Sequence, residues 1–219
     1  MTTQQLTTAT QRIRRDFRRN RLLQGLCLWY AFFWVWMAVA PLDRSDWLLE
    51  NLLVFVTVPA LVLTYRRFPL SDLSYVLVVA FLTLHAVGAH YTYAEVPLGL
   101  WLKDAFDLDR NHFDRIVHFA FGLLLAYPVR EVFLRIVHVH GFWAYYLPFD
   151  VTLAFSGLFE IIESWLVRIT SPELGEAYLG AQGDIWDAQK DMTLAMAGAI
   201  ICMIVTAVVR RVYHKRRNV

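Results

Sequence analysis

Apolar residues in this chain come in blocks whose length says more than their period. Runs rich in Leu, Val, Ala, Phe and Trp extend from about Leu22 to Ala40, Trp47 to Tyr65, Leu70 to His90, Phe113 to Val132, Phe142 to Val167 and Ile185 to Val209. A helix of about 20 mostly apolar residues crosses a bilayer, so the pattern predicts about six transmembrane helices. The connections are short except at 91–112 and 168–184. In the first of these, Leu98, Leu100, Trp101, Leu102 and Phe106 fit either an interfacial helix or an extended loop. The second, with Pro172, Gly175, Gly180 and Gly183, is expected to turn back as a cap over the ends of helices five and six. No repeat or long linker divides the chain. The expected fold is therefore an all-α integral membrane protein with a single bundle: a basic segment at 1–21, a six-helix domain at 22–209 and a basic tail at 210–219.

Composition agrees with that reading. Of the 219 residues, 58% are hydrophobic and eight are Trp, above the apolar share of an ordinary soluble domain. The net charge of +2 hides a segregation. RIRRDFRRNR, YRRF, REVFLR and RRVYHKRR alternate with connections that hold most of the acids, and the positive-inside rule then places both termini in the cytoplasm. A continuous basic face is lacking, so nucleic acid is not an expected partner and membrane lipid is. Pro41 follows Ala38-Val39-Ala40 and disfavours signal cleavage there, which makes the first apolar block an uncleaved helix. Cys27 and Cys202 fall inside apolar blocks and read as small buried hydrophobes.

Candidate chemistry sits at the non-basic ends of three helices. Asp114 and His118 are spaced i, i+4 on a face that also carries Gly122, which lets another helix approach closely. Ser156, Glu160 and Glu163 share one face of helix five, and at about 1.5 Å rise per residue Glu160 falls in the outer third. Asp184, Asp187 and Asp191 open helix six from the same side. Ionisable groups at that depth are functional candidates by default. Together they can bind a divalent metal ion, share protons, or pair with Arg115, Arg168 or Lys190. The spacing favours Asp114, His118, Asp187 and Asp191 as metal ligands, with Glu160 and Asp187 as the catalytic pair. His85, Glu163 and Asp184 are secondary polar candidates, Asp184 chiefly as a helix cap. At the opposite end Arg130 and Asp150 are expected to form a structural ion pair between helices four and five. No P-loop, G-x-G-x-x-G, H-E-x-x-H or G-x-S-x-G motif occurs.

Beyond these patterns, Asn111-His112-Phe113-Asp114-Arg115-x-x-His118-Phe119, REVFLR, GFWAYYLPFDVTLAFSGLFEIIE and AYLGAQGDIWDAQKDM resemble the YjdF-like family of bacterial inner-membrane proteins. The resemblance covers most of the chain; it implies a multi-pass inner-membrane fold and no particular activity. More distantly, the Asp-x-x-x-His-Phe helix start, the mid-chain Glu160 and the late acidic helix start resemble VanZ-like membrane proteins. Carried over by position, that points to Asp114, His118, Glu160, Asp187 and Asp191, although Ala195 stands where the VanZ-like pattern has Asn. It implies a bias toward an extracytoplasmic, lipid- or wall-related role. Three functions stay open: an enzyme acting on an envelope lipid or glycan-lipid, a transporter or lipid- or drug-binding protein using the same carboxylates as a cation or proton site, and a structural or regulatory subunit.

Overall fold

The computed structural model describes residues 17–169 and 182–217. The basic run before residue 17, the segment 170–181 that includes Pro172, Gly175 and Gly180, and the last two residues lie outside it. Among the described residues the secondary structure is helical, without a strand. In chain order the α-helices are α1 (Arg21–Ala38), α2 (Arg44–Glu50), α3 (Leu52–Tyr65), α4 (Asp72–His90), α5 (Pro97–Phe106), α6 (Phe113–Val132), α7 (Trp143–Ile169) and α8 (Asp187–Arg217).

Among the described residues five stretches are long and apolar enough to cross a membrane: Arg44–Tyr65, Asp72–His90, Phe113–Val137, Trp143–Leu166 and Asp187–Val212. The expected first span, α1, is not among them, because Arg21 and Gln24 and several Trp and Tyr rings dilute its 18 residues. It nevertheless runs beside α4 from end to end. Asn20 Nδ2 donates to Asp72 Oδ1 at 2.7 Å near the start of both helices, and His90 Nδ1 bonds Met37 O at 2.9 Å near the finish of both.

The centre of the bundle is α6, which packs against α4, α7 and α8. Lipid-facing helices gain little from hydrophobic burial against one another, so small residues and polar ties decide their association. Both are present. Gly122 of α6 meets the main chain of Ala195 and Ala199, while Gly198 of α8 meets the main chain of Phe119 and Leu123. Ala126, Ala195 and Ala199 are fully buried along the same seam. A second core joins α3, α4 and α6 through Val54, Val78, Phe81, Leu82, Phe113 and Val117.

The second span starts earlier than the apolar pattern indicated. Asp43 accepts from the backbone N–H groups of Ser45 and Asp46 and so caps α2 at Arg44, drawing DRSD into a helix instead of a loop. The asparagine that follows links α2 to α1: Asn51 accepts from Trp34 Nε1 at 2.6 Å and donates to Trp47 O at 2.7 Å. Residues 97–106 adopt the interfacial-helix alternative, with Leu98, Trp101 and Phe106 exposed. Cys202 is buried as expected, but Cys27 is exposed on α1.

At the basic end, Glu131 closes α6 onto the start of α4. Its carboxylate accepts from Ser71 N at 2.8 Å, Ser71 Oγ at 2.7 Å and Ser74 Oγ at 2.5 Å, and pairs with Arg135 at 2.6 Å. The expected Arg130–Asp150 pair does not form. Arg130 is buried 4.6 Å from the Tyr145 ring centre, whereas Asp150, on an outward position of α7, is exposed. An aromatic face can hold a guanidinium where no carboxylate is in reach.

Candidate functional site

Asn111 fixes the entrance to α6. Its side-chain nitrogen donates to Ala94 O (2.8 Å) and Val96 O (3.1 Å), its side-chain oxygen accepts from Phe113 N (2.9 Å), and its main chain exchanges two bonds with the Gln182 amide. A Cβ at Gly99 would overlap this side chain. Asn111→Ala orphans several buried groups, each worth about 1–3 kcal/mol when unsatisfied. Its melting temperature in detergent is therefore expected to fall by several degrees, while Leu63→Ala, at an exposed position of α3, leaves it in place.

Behind that entrance the acids divide into two groups. The outer group is an ion-pair network. Asp187 takes a two-pronged contact from Arg110, at 2.5 and 3.3 Å, and a further one from Arg115 at 3.2 Å. Asp184 pairs with Arg115 and Lys190, each at 2.5 Å, and accepts from Trp186 N at 3.0 Å. The Lys190 ammonium, the Trp186 amide and the Arg115 guanidinium hold the Asp184 carboxyl well below the usual carboxylate range. Burial, followed by the positive charges of Arg115 and Arg110, lowers His112, whose Nδ1 lies 3.0 Å from Arg115 Nη1. Asp184 was expected as a helix cap, but α8 begins three residues later, at Asp187; Asp184 closes the turn before it through Trp186 N and has an ion-pair role that spacing did not reveal.

The inner group lies one turn deeper. Asp114 and His118 of α6 and Asp191 of α8 each offer one ligand atom, and those atoms lie within 4.8 Å of one another. His118 Nε2 is 3.5 Å from Asp114 Oδ1 and 3.5 Å from Glu160 Oε1 of α7. Asp191 Oδ1 and Glu160 Oε1 are buried without a hydrogen-bond partner. Glu163, also buried, stands one turn further along α7, so the two carboxyl groups share a helix face. Two carboxylates and an imidazole at this separation, with unused lone pairs pointing inward, match the donor set of a divalent ion.

Four of the five residues singled out as a shared site thus come together, and the fifth does not. Asp187 faces the arginines and is not part of the close trio, because Arg110 reaches over from the α5–α6 connection to take its carboxylate. His85 is engaged elsewhere: its Nδ1 bonds the Tyr93 hydroxyl at 2.6 Å and its Nε2 the main-chain oxygen of Glu50 at 3.1 Å. Arg110, Asp46 and Glu50 are the buried charged residues that sequence reasoning missed. Asp46 and Glu50 were legible only through the cap at Asp43, which makes them i, i+4 on a helix.

The architecture defines a multi-pass helical membrane protein, and sequence comparison gives its family. The chain belongs to the DUF2238 family, described as a predicted membrane protein, which matches residues 22–212. Inner membrane protein YjdF of Escherichia coli (strain K12) is 34% identical over 187 residues, covering 85% of this chain and 89% of that protein. No solved structure matches.

Proposed function

We propose that Asp114, His118 and Asp191 hold a divalent metal ion and that Glu160 acts beside it as a general base on the headgroup of an envelope lipid or glycan-lipid. The observation that carries this reading is the convergence of three ligand atoms from two helices to within 4.8 Å. The alternation of basic and basic-poor connections favours cytoplasmic termini, which would set the site near the outer leaflet. In that environment a bound ion would neutralise charge developing on a headgroup oxygen. Glu160, 3.5 Å from His118, is placed to take a proton from an attacking water or hydroxyl. Asp187 becomes a positioning residue that fixes α8 through Arg110 and Arg115. The VanZ-like resemblance of the same positions gives the same extracytoplasmic bias. The departure from that pattern at the buried Ala195 weakens the link.

Metal analysis of the purified protein tests the reading. Asp114→Asn, His118→Ala and Asp191→Asn are each expected to weaken Mn²⁺ binding by more than the roughly 10–100-fold that residues behind a ligand contribute. Unchanged affinity in all three variants would sink the proposal. The placing of Glu160 and Glu163 one turn apart, both with buried side chains, favours a second reading, a proton- or cation-coupled transporter. For that reading, Glu160→Gln is expected to abolish pH-coupled flux in proteoliposomes, and lipid-headgroup turnover surviving in the same variant would count against the enzyme reading.

A further inference from the structure

Two further carboxyl groups, on α2, carry buried oxygens with nothing to bond. Asp46 and Glu50, one turn apart on α2, are 1% and 3% exposed. Both carboxylate oxygens of Asp46 and Oε2 of Glu50 are shielded from solvent and lack a hydrogen-bond partner. The nearest cation in sequence is turned away: Arg44 donates to Ala38 O at 2.8 Å and lies 5.3 Å from the Trp47 ring centre. His85 directs Nε2 to the Glu50 main chain and Nδ1 to Tyr93, so neither nitrogen serves the carboxyl groups. Among the described residues no Lys, Arg or His forms an ion pair with either acid.

The surroundings make the deficit worse. Glu50 interacts with the negative charges of Asp46 and Asp114, and Glu163 in turn interacts with Glu50. An isolated buried carboxylate costs several kcal/mol and is retained only with a counter-charge or a proton. Here two share one turn of helix with unpartnered oxygens, no donor and no ion pair. A bound cation, or protons in its place, must supply the balance.

We infer that Asp46 and Glu50 form a second cation site, built for a hard divalent ion held by carboxylate oxygens. Spacing i, i+4 brings the two carboxyls to one face of α2, and the absence of imidazole or thiol ligands separates this site from the His118 centre and excludes softer ions by ligand type. The inference does not depend on the reading given above for Asp114, His118 and Asp191.

Mn²⁺ titration of the full chain, purified in detergent and stripped with EDTA, tests it by electron paramagnetic resonance. Wild type is expected to take up two ions per chain. Asp46→Asn and Glu50→Gln should each retain one, and Asp191→Asn should lose the other. One ion in wild type that is kept by Asp46→Asn and Glu50→Gln overturns the second site and leaves the first standing. One ion that disappears in those variants but stays in Asp191→Asn supports the second site and removes the first. Should the neutral variants fail to stay monodisperse, Glu50→Asp keeps the charge on a shorter arm and is expected to weaken the second ion roughly tenfold or more. No second ion in wild type, together with a protonated-carboxyl infrared band that Glu50→Gln removes, also overturns the inference.

Discussion

Leucine in place of Gly122 is expected to abolish the folded bundle, not merely to soften it. Overpacking a side-chain core costs about 1–3 kcal/mol because neighbouring side chains can shift. At Gly122 the obstacles are the Ala195 carbonyl and the Ala199 amide of α8, which belong to a helix and cannot step aside alone. The α6–α8 crossing must open, taking Asp114 and His118 away from Asp191. Gly122→Leu should therefore give little monodisperse protein after detergent extraction, and any material recovered should have lost Mn²⁺ binding. Gly25→Ala is the control. Gly25 lies mid-helix on α1 with open space around it, and Ala there is expected to be neutral or to stabilise by about 0.5–1 kcal/mol. A Gly122→Leu protein with wild-type yield and melting temperature would mean that the two helices do not touch through their main chains.

The second large effect is expected at Arg110. Removing one partner of a buried ion pair costs about 3–5 kcal/mol, chiefly because the other charge is left unsatisfied. Arg110 and Asp187 have side chains only 7% and 8% exposed. Arg115 still reaches Asp187 at 3.2 Å, so Arg110→Met should fall near the lower end of that range, read as a drop in detergent melting temperature. Replacing both partners, Arg110→Met with Asp187→Leu, should restore much of the loss, since paired apolar groups carry no desolvation penalty. A double variant no more stable than the single one would show that Arg110 acts through other contacts.

Much of this architecture could be read in the chain because its dominant signal is long-range composition, not fine pattern. The span beginning at Phe113 and ending at Val132 is found at those bounds, and Gly122 meets another helix as its neighbours on the Asp114–His118 face implied. Helix spacing also brought Asp114, His118 and Glu160 to one end, with Asp191 joining from α8. What spacing cannot see is competition for a carboxylate across the chain. Asp187 and Asp191 are near neighbours on a helical projection, yet Arg110, 77 residues before Asp187, pairs with Asp187 and not with Asp191. The same blindness produced the Arg130–Asp150 pair, where helical phase turned the aspartate outward and the Tyr145 ring supplied the contact. Asp46 and Glu50 were hidden for a different reason: a charged stretch such as DRSD reads as loop until the Asp43 cap is noticed.

One dimension of the bundle has a consequence for how it sits in lipid. The last helix, α8, runs for 31 residues, about 46 Å at 1.5 Å per residue, against a hydrocarbon thickness of about 30 Å. Its apolar part ends near Val212. The end at Asp187 cannot slide into the hydrocarbon, because Asp187 is anchored by Arg110 and Arg115 at the entrance of α6. Past Val212 only residues 213–217 remain, about 7 Å of helix, so most of the excess is itself apolar and is taken up by tilt. Bilayers of different thickness would change that tilt and leave the acidic centre at a constant depth beneath the surface at which Asp187 is held.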